Sequence, residues 1–393
     1  MGIVGPGHRR EDRPAPPRHP GRGHGEGTPR SPSTQTGHNS GVVHAGIYYA
    51  PGSLKADLCV RGVSILREYC QDRGQPYEEI GKLVVAVRPD ELGRMENLYE
   101  RARNNHVPEL RKISQEEIKE LEPHVGGIAA LHSPRTAITD YPAIAREFAK
   151  DIEASGGEVR LGFPVTSITN VPGGIEVASG QERVRVDRLI LCAGLHSDAV
   201  AKLAQDKKAP KIIPFRGEYM LLKPDRTHLV RGLIYPVPDP RYPLPRRALH
   251  PAGRRQRRGR PERRPRPGQG GLQARPHLPE GPRRTRRVPR LLADGRPALA
   301  DRHQGVPRFA VRVGLHEGRE ALRPRCRRRR RRTRRAGVRA QALDPDGTLV
   351  DDFRIHQVGR ITAVRNAPSP AATASMAIAE HIVGAVFGAS SAN

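Results

Sequence analysis

Apolar residues recur at helical spacing in several parts of the chain. In residues 53–73 they form one stripe of a helix that Gly74 would end. The stripe consists of Leu54, Leu58, Ile65, Leu66 and Tyr69. Residues 89–105 predict a charged amphipathic helix, and Ser114 followed by Glu117 forms a capping box that would open a third helix. This part of the chain therefore has the periodicity of a folded protein.

A second set of patterns predicts strands between the helices. Residues 82–87 (KLVVAV) and 188–194 (RLILCAG) predict buried strands. Shorter strands are predicted at residues 158–161, 164–169, 174–178 and 182–186. Further helices are predicted from the cap Asp140 to Ala154, closed by Gly156-Gly157, and over residues 371–386. Helices that alternate with meanders of short strands indicate a mixed α/β fold.

The net charge of +28 is concentrated in two segments of the chain. Residues 246–335 contain 31 Arg and 6 acidic residues, and residues 1–35 contain 6 Arg and 3 acidic residues. The rest of the chain has 32 basic and 32 acidic residues, so it is neutral. The basic total therefore does not by itself indicate a charged surface that binds nucleic acid.

The arginine-rich window 246–335 has no sustained hydrophobic period and is predicted to be disordered. It contains no Lys, Ile, Met, Asn or Tyr, whose codons are AT-rich, while Arg, Pro, Gly and Ala have GC-rich codons. A GC-rich gene read in the wrong frame would show this bias. We therefore hypothesise that compensating frame errors bracket residues 5–34 and 245–336. The rival interpretation is a nucleic-acid-binding insert, but Phe309 is the window's one aromatic residue for base stacking.

Cysteine usage and hydropathy narrow the class of protein further. The four cysteines show no C-x-x-C spacing, and no signal peptide is recognisable. We expect a reduced, cytoplasmic protein, with peripheral membrane association left open. No apolar run approaches the length of about 20 residues that spans a bilayer. No metal-ligand spacing and no GKS/T phosphate loop occurs, so no metal site is predicted.

Several motifs in order resemble the L-2-hydroxyglutarate dehydrogenase/oxidase family, which is FAD-dependent and similar to D-amino-acid oxidases. The motifs are TGHNSGVVHAGIYY (36–49), KADLCVRG (55–62), FRGEYMLLKP (215–224), YPVPDP (235–240), GVRAQALDPDGTLVDDF (337–353) and NAPSPAAT (366–373). The resemblance covers about 35–244 and 336–390. The arginine-rich window has about the length that the family has at that place, which the frame-error hypothesis explains and an insertion does not.

The resemblance implies an FAD-binding Rossmann-type domain interleaved with a mixed-sheet substrate domain. The FAD-binding segments would be residues 35–75, 141–205 and 336–393, and the substrate-domain segments residues 76–140 and 206–245. Residues 1–34 would be a degraded FAD-binding N-terminus, and residues 246–335 an out-of-frame segment. Asp351 and Asp352 match the family without an evident role.

The first residues resemble the end of the G-x-G-x-x-G dinucleotide fingerprint. Gly2 and Gly5 would be its second and third glycines, which let the backbone approach a pyrophosphate at a helix N-terminus. The first strand and first glycine have no match, so the start codon could be misplaced. The acidic residue that would hold the ribose falls inside residues 6–34 and has no match either.

Three further segments would contact FAD by resemblance. The polar turn comprises Thr36, Gly37, His38, Asn39, Ser40 and Gly41, and would lie near the ribityl and phosphate chain; a plain surface turn is the alternative. Ala193-Gly194 follows a buried strand and fits a second close approach to the dinucleotide, or simply a tight turn. Gly337 and the loop of Asn366, Ala367, Pro368 and Ser369 complete the set. This loop leads into the last helix, whose positive N-terminus suits an anionic flavin.

The oxidation of a 2-hydroxy acid needs a base for the hydroxyl proton and cations for the carboxylate. His44 is the candidate base, because imidazole titrates near neutral pH; a structural histidine beside Tyr48 is the alternative. Arg216 and Arg339 are candidate carboxylate clamps, and a dicarboxylate could use both. Tyr49 and Tyr219 could line the pocket, although packing tyrosines are common.

The expected activity is hydride transfer from C2 of L-2-hydroxyglutarate to the flavin, which gives 2-oxoglutarate. Another amino- or hydroxy-acid oxidase of the superfamily is the alternative within flavoenzymes, and an arginine-rich nucleic-acid-binding protein is the alternative outside them. The electron acceptor stays open between oxygen, a quinone and a carrier protein. We expect this chain as written to bind FAD poorly or not at all, because its dinucleotide loop is incomplete.

Overall fold

A computed structural model describes residues 2–4, 35–206, 210–220, 222, 224–239 and 333–387 of the 393-residue chain. The α-helices of these residues are α1 (Leu54–Asp72), α2 (Leu92–Asn104), α3 (Gln115–Leu121), α4 (Tyr141–Ala154), α5 (Ser197–Leu203) and α6 (Ser375–Phe387). Short 3-10 helices are formed by Gln35–Gly37, Pro89–Glu91, Gly194–His196 and Pro224–Leu229. The window 246–332 lies outside the described residues, and so does most of the N-terminal segment.

Within these described ranges the strands form five small sheets. They are β1 (Gly2–Val4), β2 (Val42–Val43), β3 (Tyr77–Glu79), β4 (Lys82–Ala86), β5 (Arg111–Ser114), β6 (Ala129–Ser133), β7 (Ala137–Thr139), β8 (Ser167–Val171), β9 (Gly174–Ser179), β10 (Glu182–Val186), β11 (Leu189–Cys192), β12 (Lys211–Met220), β13 (Leu233–Pro236), β14 (Thr333–Leu343), β15 (Arg354–Val358) and β16 (Ile361–Asn366). The strand orders are β1-β11-β16-β15, β10-β9-β8, β12-β14, β13-β4-β6-β5 and β2-β7-β3.

Local sequence signals account for the helix ends. The Ser53 side chain accepts a hydrogen bond from the amide of Ala56 and starts α1. Both hydrogen bonds of the predicted capping box form at the start of α3, between Ser114 and Glu117. Asp140 caps α4 in the same way through the amide of Ala143, so these three predicted starts are confirmed.

The central layer has the architecture of a nucleotide-binding fold. β11 and β16 are parallel neighbours, as in a Rossmann-type sheet. Leu189 and Leu191 of β11 pack on one face in a cluster that includes Val200 of α5. Ile190 points to the opposite face, where it joins a cluster with Leu58 of α1 and residues of α6. Helices therefore cover both faces of this sheet, and the predicted mixed α/β class is confirmed.

The other sheets join segments that are distant in the chain. β4 pairs with β6 and β13, so residues 76–140 and 206–245 share one sheet. β2 pairs with β7, and β12 pairs with β14 in an antiparallel ribbon. This ribbon takes one strand from the predicted substrate segment and one from the predicted C-terminal FAD segment. The division of the chain into domains stays a prediction.

Several predicted boundaries are wrong. Residues 158–161 form no strand, and the predicted strand at 164–169 lies at β8 instead. Residues 371–374 form turns, so the last helix starts at Ser375. β14 starts at Thr333, three residues before the predicted end of disorder, because backbone pairing with β12 does not depend on side-chain type.

Gly2 does not lie in a strand-to-helix turn. It belongs to β1, which pairs antiparallel with β11 and places Gly2 opposite Cys192. A three-residue segment satisfies its backbone hydrogen bonds at an open sheet edge whatever motif it resembles. The predicted role of Gly2 beside a pyrophosphate is therefore not supported by its position, and Gly5 lies outside the described residues.

A candidate active site around His44

The candidate site is built on the loop that follows β2. The amide of His44 donates a hydrogen bond to Thr373 Oγ1 at 3.1 Å, and its carbonyl oxygen accepts one from Cys59 Sγ at 3.2 Å. Thr373 Oγ1 also lies 2.9 Å from the hydroxyl of Tyr141, which donates to the carbonyl of Val42. Three distant segments of the chain, at Cys59, Tyr141 and Thr373, therefore fix the backbone of His44.

Arg101 of α2 and Asn105, which caps the end of this helix, hold the next part of the loop. The side-chain amide of the buried Asn105 donates to the carbonyl oxygens of Gly46 and Tyr49, both at 2.8 Å. Arg101 Nη1 donates to the carbonyl oxygen of Tyr48 at 3.2 Å. These hydrogen bonds fix the backbone of the HAGIYY motif, and its two tyrosine rings contact lysines, Tyr48 with Lys82 and Tyr49 with Lys55.

The imidazole of His44 is half-buried next to the loop that precedes α6. Its Nε2 lies 3.4 Å from Ser369 Oγ, and Ser369 also forms a side-chain hydrogen bond with Tyr49. Burial lowers the pKa of His44 to about 3, with further lowering by the positive charges of Lys82, Arg339 and Lys55. His44 is therefore neutral at physiological pH and able to accept a proton. This geometry fits the predicted role as base, which stays a prediction.

The cations around His44 come from three different elements. Lys55 lies in the first turn of α1, Lys82 opens β4 and Arg339 lies on β14. Lys55 Nζ lies 2.8 Å from Asp351 Oδ1 and 3.0 Å from its carbonyl oxygen, so this ammonium is paired. The pair also provides a role for Asp351, which the sequence leaves unexplained. The site as a whole carries positive charge and suits an anionic ligand.

The side chain of Asn366 forms hydrogen bonds with the protein backbone. Its side-chain amide donates to the carbonyl oxygens of Val350 and Asp352 at 3.2 Å and 2.8 Å. Both amide hydrogens are therefore used to fix the start of the 366–369 loop. Asn366 is a positioning residue in this arrangement, while the exposed Ala367 and Ser369 form the part of the loop that a ligand can reach.

The predicted FAD-contacting turns meet in space. Residues 35–41 are half-buried, and Asn39 ties the turn together through hydrogen bonds with the carbonyl of Thr36 and the amide of Gly41. A Cβ atom at Gly194 would lie 3.4 Å from Oε1 of Gln35, so the turn after β11 contacts the same segment. Two stretches more than 150 residues apart thus form one polar edge beside the parallel strands.

The described residues fit the ring-proximal half of an FAD molecule. They provide a half-buried polar turn at 35–41, a close-approach glycine after a parallel strand, and an exposed serine beside His44. Gly41 has φ +73°, and a Cβ there would lie 2.9 Å from the carbonyl oxygen of Thr139, so a side chain would disrupt the turn. The segment that would hold the pyrophosphate and ribose lies within residues 5–34, outside the described part.

The two predicted arginine clamps do not share a face of their ribbon. Arg216 lies opposite Val338, and Arg339 lies opposite Phe215. Because side chains alternate along a strand, positions 216 and 339 fall on opposite faces of the ribbon, and the joint clamp stays a prediction. The charge of Arg339 is among those that lower the pKa of His44. The side chains of Arg216 and Tyr219 lie outside the described part, and Gly337 is a buried ribbon position opposite Gly217.

Sequence reasoning missed four residues of the site. Lys82 contributes to the low pKa of His44, the ring of Tyr48 packs on Lys82, and Thr373 and Tyr141 support the backbone of His44. The sequence contained a signal for Lys82, because this residue starts the predicted buried strand KLVVAV although lysine is rarely buried. The contacts of Thr373 and Tyr141 join residues 232 positions apart, and no local pattern contains them.

The fold and the site define a flavin-dependent oxidoreductase. The chain belongs to the FAD dependent oxidoreductase family, whose model matches residues 26–385. The predicted cofactor, FAD, and the enzymatic class are thereby confirmed. Among the described residues no cluster of His, Cys, Asp and Glu could hold a metal ion. None of the helices in the described ranges is long and apolar enough to cross a membrane.

Curated relatives narrow the family further. The chain is 40% identical over 377 residues to the mitochondrial L-2-hydroxyglutarate dehydrogenase of Homo sapiens, covering 88% of this chain and 78% of that one. It is 36% identical over 360 residues to the L-2-hydroxyglutarate dehydrogenase of Indibacter alkaliphilus, with 88% and 86% covered. The resemblance identified from the motifs is confirmed.

Solved structures share the fold at low sequence identity. The reduced, FAD-bound L-alpha-glycerophosphate oxidase of Mycoplasma pneumoniae matches with a TM-score of 0.62 and 20% identity, covering 90% of this chain and 85% of that one. Glycine oxidase from Bacillus cereus matches with a TM-score of 0.56 and 12% identity, covering 91% and 85%. These likenesses concern the fold, while substrate preference depends on the residues of the site.

Proposed function

We propose that this protein oxidises L-2-hydroxyglutarate, or a closely similar 2-hydroxy acid, to the 2-oxo acid with FAD as cofactor. The observation that carries the proposal is a neutral His44 surrounded by Lys55, Lys82 and Arg339, next to the 366–369 loop. The relatives named L-2-hydroxyglutarate dehydrogenase support the choice of substrate.

The residues of the chain have separate tasks in this reaction. The cations hold the carboxylates of the substrate and set its orientation. Ser369 Oγ lies 3.4 Å from His44 Nε2 and orients the imidazole, and the other ring nitrogen of His44 accepts the proton of the C2 hydroxyl. Bound FAD would supply the acceptor for the hydride that leaves C2. After the reaction, His44 therefore carries the proton and the 2-oxo acid occupies the site.

Substrate binding itself prepares His44. In the free protein burial is the main cause of the low pKa of about 3 of His44, and the charges of Lys82, Arg339 and Lys55 lower it further, so the imidazole is a weak base. A bound dianion offsets these charges, so it raises the pKa of His44 towards the range where proton transfer is efficient. The basicity of His44 therefore depends on whether a dianionic substrate is bound.

The charge of the site also bears on the alternative within flavoenzymes. An amino-acid substrate carries an ammonium group, which the cations around His44 would repel. A hydroxy acid has no such group and fits better. The nucleic-acid alternative depends on residues 246–335, most of which lie outside the described residues. The electron acceptor stays open, and a cytoplasmic location stays a prediction.

Anaerobic reduction of the purified full-length protein tests the proposal. Because the chain as written is expected to bind FAD poorly, FAD is supplied in excess, and L-2-hydroxyglutarate should then bleach the flavin absorbance and release 2-oxoglutarate. D-2-hydroxyglutarate and L-glutamate are the matched controls and should leave the flavin oxidised. Bleaching by L-glutamate but not by the hydroxy acid would overturn the proposal in favour of an amino-acid oxidase.

A further inference from the structure

Lys82 occupies an unusual position for a lysine. It is the first residue of β4, a strand in the interior of its sheet, and only 2% of its surface is exposed. Its Nζ atom lies 4.0 Å from the ring centroid of Tyr235 and 4.4 Å from that of Tyr48. Two aromatic faces therefore enclose the ammonium group.

Other lysines near aromatic rings have carboxylate partners. Lys55 lies 5.0 Å from the Tyr49 ring and pairs with Asp351 at 2.8 Å. Lys112 lies 4.8 Å from the Tyr99 ring and pairs with Glu96 at 3.1 Å. Lys82 has no such carboxylate among the described residues. A buried ammonium without a counter-ion is costly and is typical of functional sites.

The electrostatics of Lys82 agree with this description. Burial lowers its pKa to about 7, with a small opposing contribution from Cys59. The groups that face it are the rings of Tyr48 and Tyr235, the thiol of Cys59 and the imidazole of His44. Among these groups none carries a negative charge at neutral pH, since the pKa values of Tyr48 and Cys59 are raised by burial. An anionic ligand would supply the missing charge.

A second polar group beside Lys82 has no partner. The hydroxyl of Tyr48 is buried and makes no hydrogen bond within the part of the chain that the structure describes. The hydroxyl lies on the same ring that packs against Lys82 Nζ. A buried unsatisfied hydroxyl is rare in native structures and suggests that a ligand completes the site. One carboxylate could accept hydrogen bonds from both groups.

We propose that Lys82 and the Tyr48 hydroxyl bind the distal carboxylate of the substrate and thereby set a preference for 2-hydroxy dicarboxylates. The inference rests on the proposed function and adds residues that determine specificity. Arg339, on a different sheet, is left for the carboxylate next to C2. A monocarboxylate would leave the Lys82 ammonium buried without a counter-ion. Its binding is therefore disfavoured both by the free-energy cost of this unpaired charge and by the loss of the contact with the distal carboxylate.

Kinetics with two matched substrates test this inference. L-2-hydroxyglutarate and L-2-hydroxypentanoate have the same carbon chain and differ in the distal carboxylate. In Lys82→Met, kcat/KM for the dicarboxylate should fall about 100-fold, mainly through KM, while the monocarboxylate is unchanged or improves. Lys112→Met is the control, because it removes an exposed lysine over a tyrosine ring and should leave the ratio as it is.

Ligand-induced thermal shifts separate the two proposals. Glutarate should stabilise the wild-type protein more than pentanoate does, and Lys82→Met should remove that difference. If the wild type oxidises neither hydroxy acid, the proposed function fails, and the thermal shifts alone decide the role of Lys82. If Lys82→Met does not fold, Tyr48→Phe serves instead and should lower the dicarboxylate preference about tenfold. A preference within threefold of the wild type in a folded variant overturns the inference.

Discussion

At the residue scale, His44 and Lys82 show how burial changes the chemistry of a side chain. Desolvation lowers the pKa of both, to about 3 and about 7. Because the pKa of Lys82 is lowered, its charged form is about 5 kcal/mol less favourable in the folded protein than in the unfolded chain. The unfolded chain binds this proton more strongly, so Lys82 adds stability as pH rises from about 7 towards 10.5. The protein tolerates this cost at a position where an anion would remove it.

The two pKa values predict the pH dependence of the enzyme. His44 is neutral above a pH of about 3, so it causes no loss of activity between pH 5 and 7. Lys82 loses its charge as pH rises through about 7, so kcat/KM for L-2-hydroxyglutarate should decrease on the alkaline side. A pH profile of kcat/KM measures this limb. Its persistence in Lys82→Met would assign it to another group.

Replacement of His44 tests its role as the base. His44→Gln keeps a polar side chain of similar length but cannot take the proton, so kcat should fall about 10²- to 10⁴-fold. The FAD content and melting temperature should stay close to wild type, because the backbone of residue 44 carries the contacts with Thr373 and Cys59. A kcat within threefold of wild type would show that another group is the base.

At the element scale, the packing of α1 against the α6 region aligns the site. Gly62 of α1 has no space for a side chain, since a Cβ atom would lie 2.6 Å from Cα of Ala374 and 2.9 Å from the carbonyl oxygen of Thr373. Thr373 in turn accepts the hydrogen bond from the His44 amide. The helix contact therefore sets the distance between the 366–369 loop and the base.

Gly62→Ala should disturb both stability and activity. The new methyl group overpacks the interface, and we expect the free energy of unfolding to fall by about 1–3 kcal/mol. Gly384→Ala in α6 is the matched control, because no atom lies within 4 Å of its Cβ position and alanine favours the helix by about 1 kcal/mol. Chemical denaturation of both variants measures the difference. Equal effects would show that the interface adjusts freely.

At the scale of the whole molecule, the charge distribution and the family match both bear on the origin of the arginine-rich window. The family model matches residues 26–385, a range that includes the arginine-rich window. A window that keeps the length of the family but has 31 Arg and no Lys is what compensating frame errors would produce. The frame-error hypothesis stays a prediction.

Sequencing of the gene around codons 5, 34, 245 and 336 tests this hypothesis. We expect another frame to encode a complete G-x-G-x-x-G segment and a middle region with few arginines. The protein translated in that frame should bind FAD in a 1:1 ratio, measured from its visible absorbance, while the chain as written should bind little. A sound reading frame together with full FAD occupancy would refute the hypothesis.

The sequence by itself determined the local structure and the chemical class of this protein. Caps such as Ser53, Ser114 and Asp140 act over three or four residues, so their helices could be predicted. The motif around His44 identified the family and the candidate base. The predicted start of α6 was too early and the predicted strand at 158–161 does not form, because tertiary contacts override weak local preferences there.

Only the tertiary structure decided which residues surround His44. The register of β12 and β14 separated Arg216 from Arg339, and the folding of β4 against the HAGIYY turn brought Lys82 between two tyrosine rings. Thr373 reached the amide of His44 across 329 positions of the chain. Such contacts depend on how the sheets and helices pack against each other. Side chains become buried only when this packing is complete, and burial then shifts their pKa values and so alters their charge.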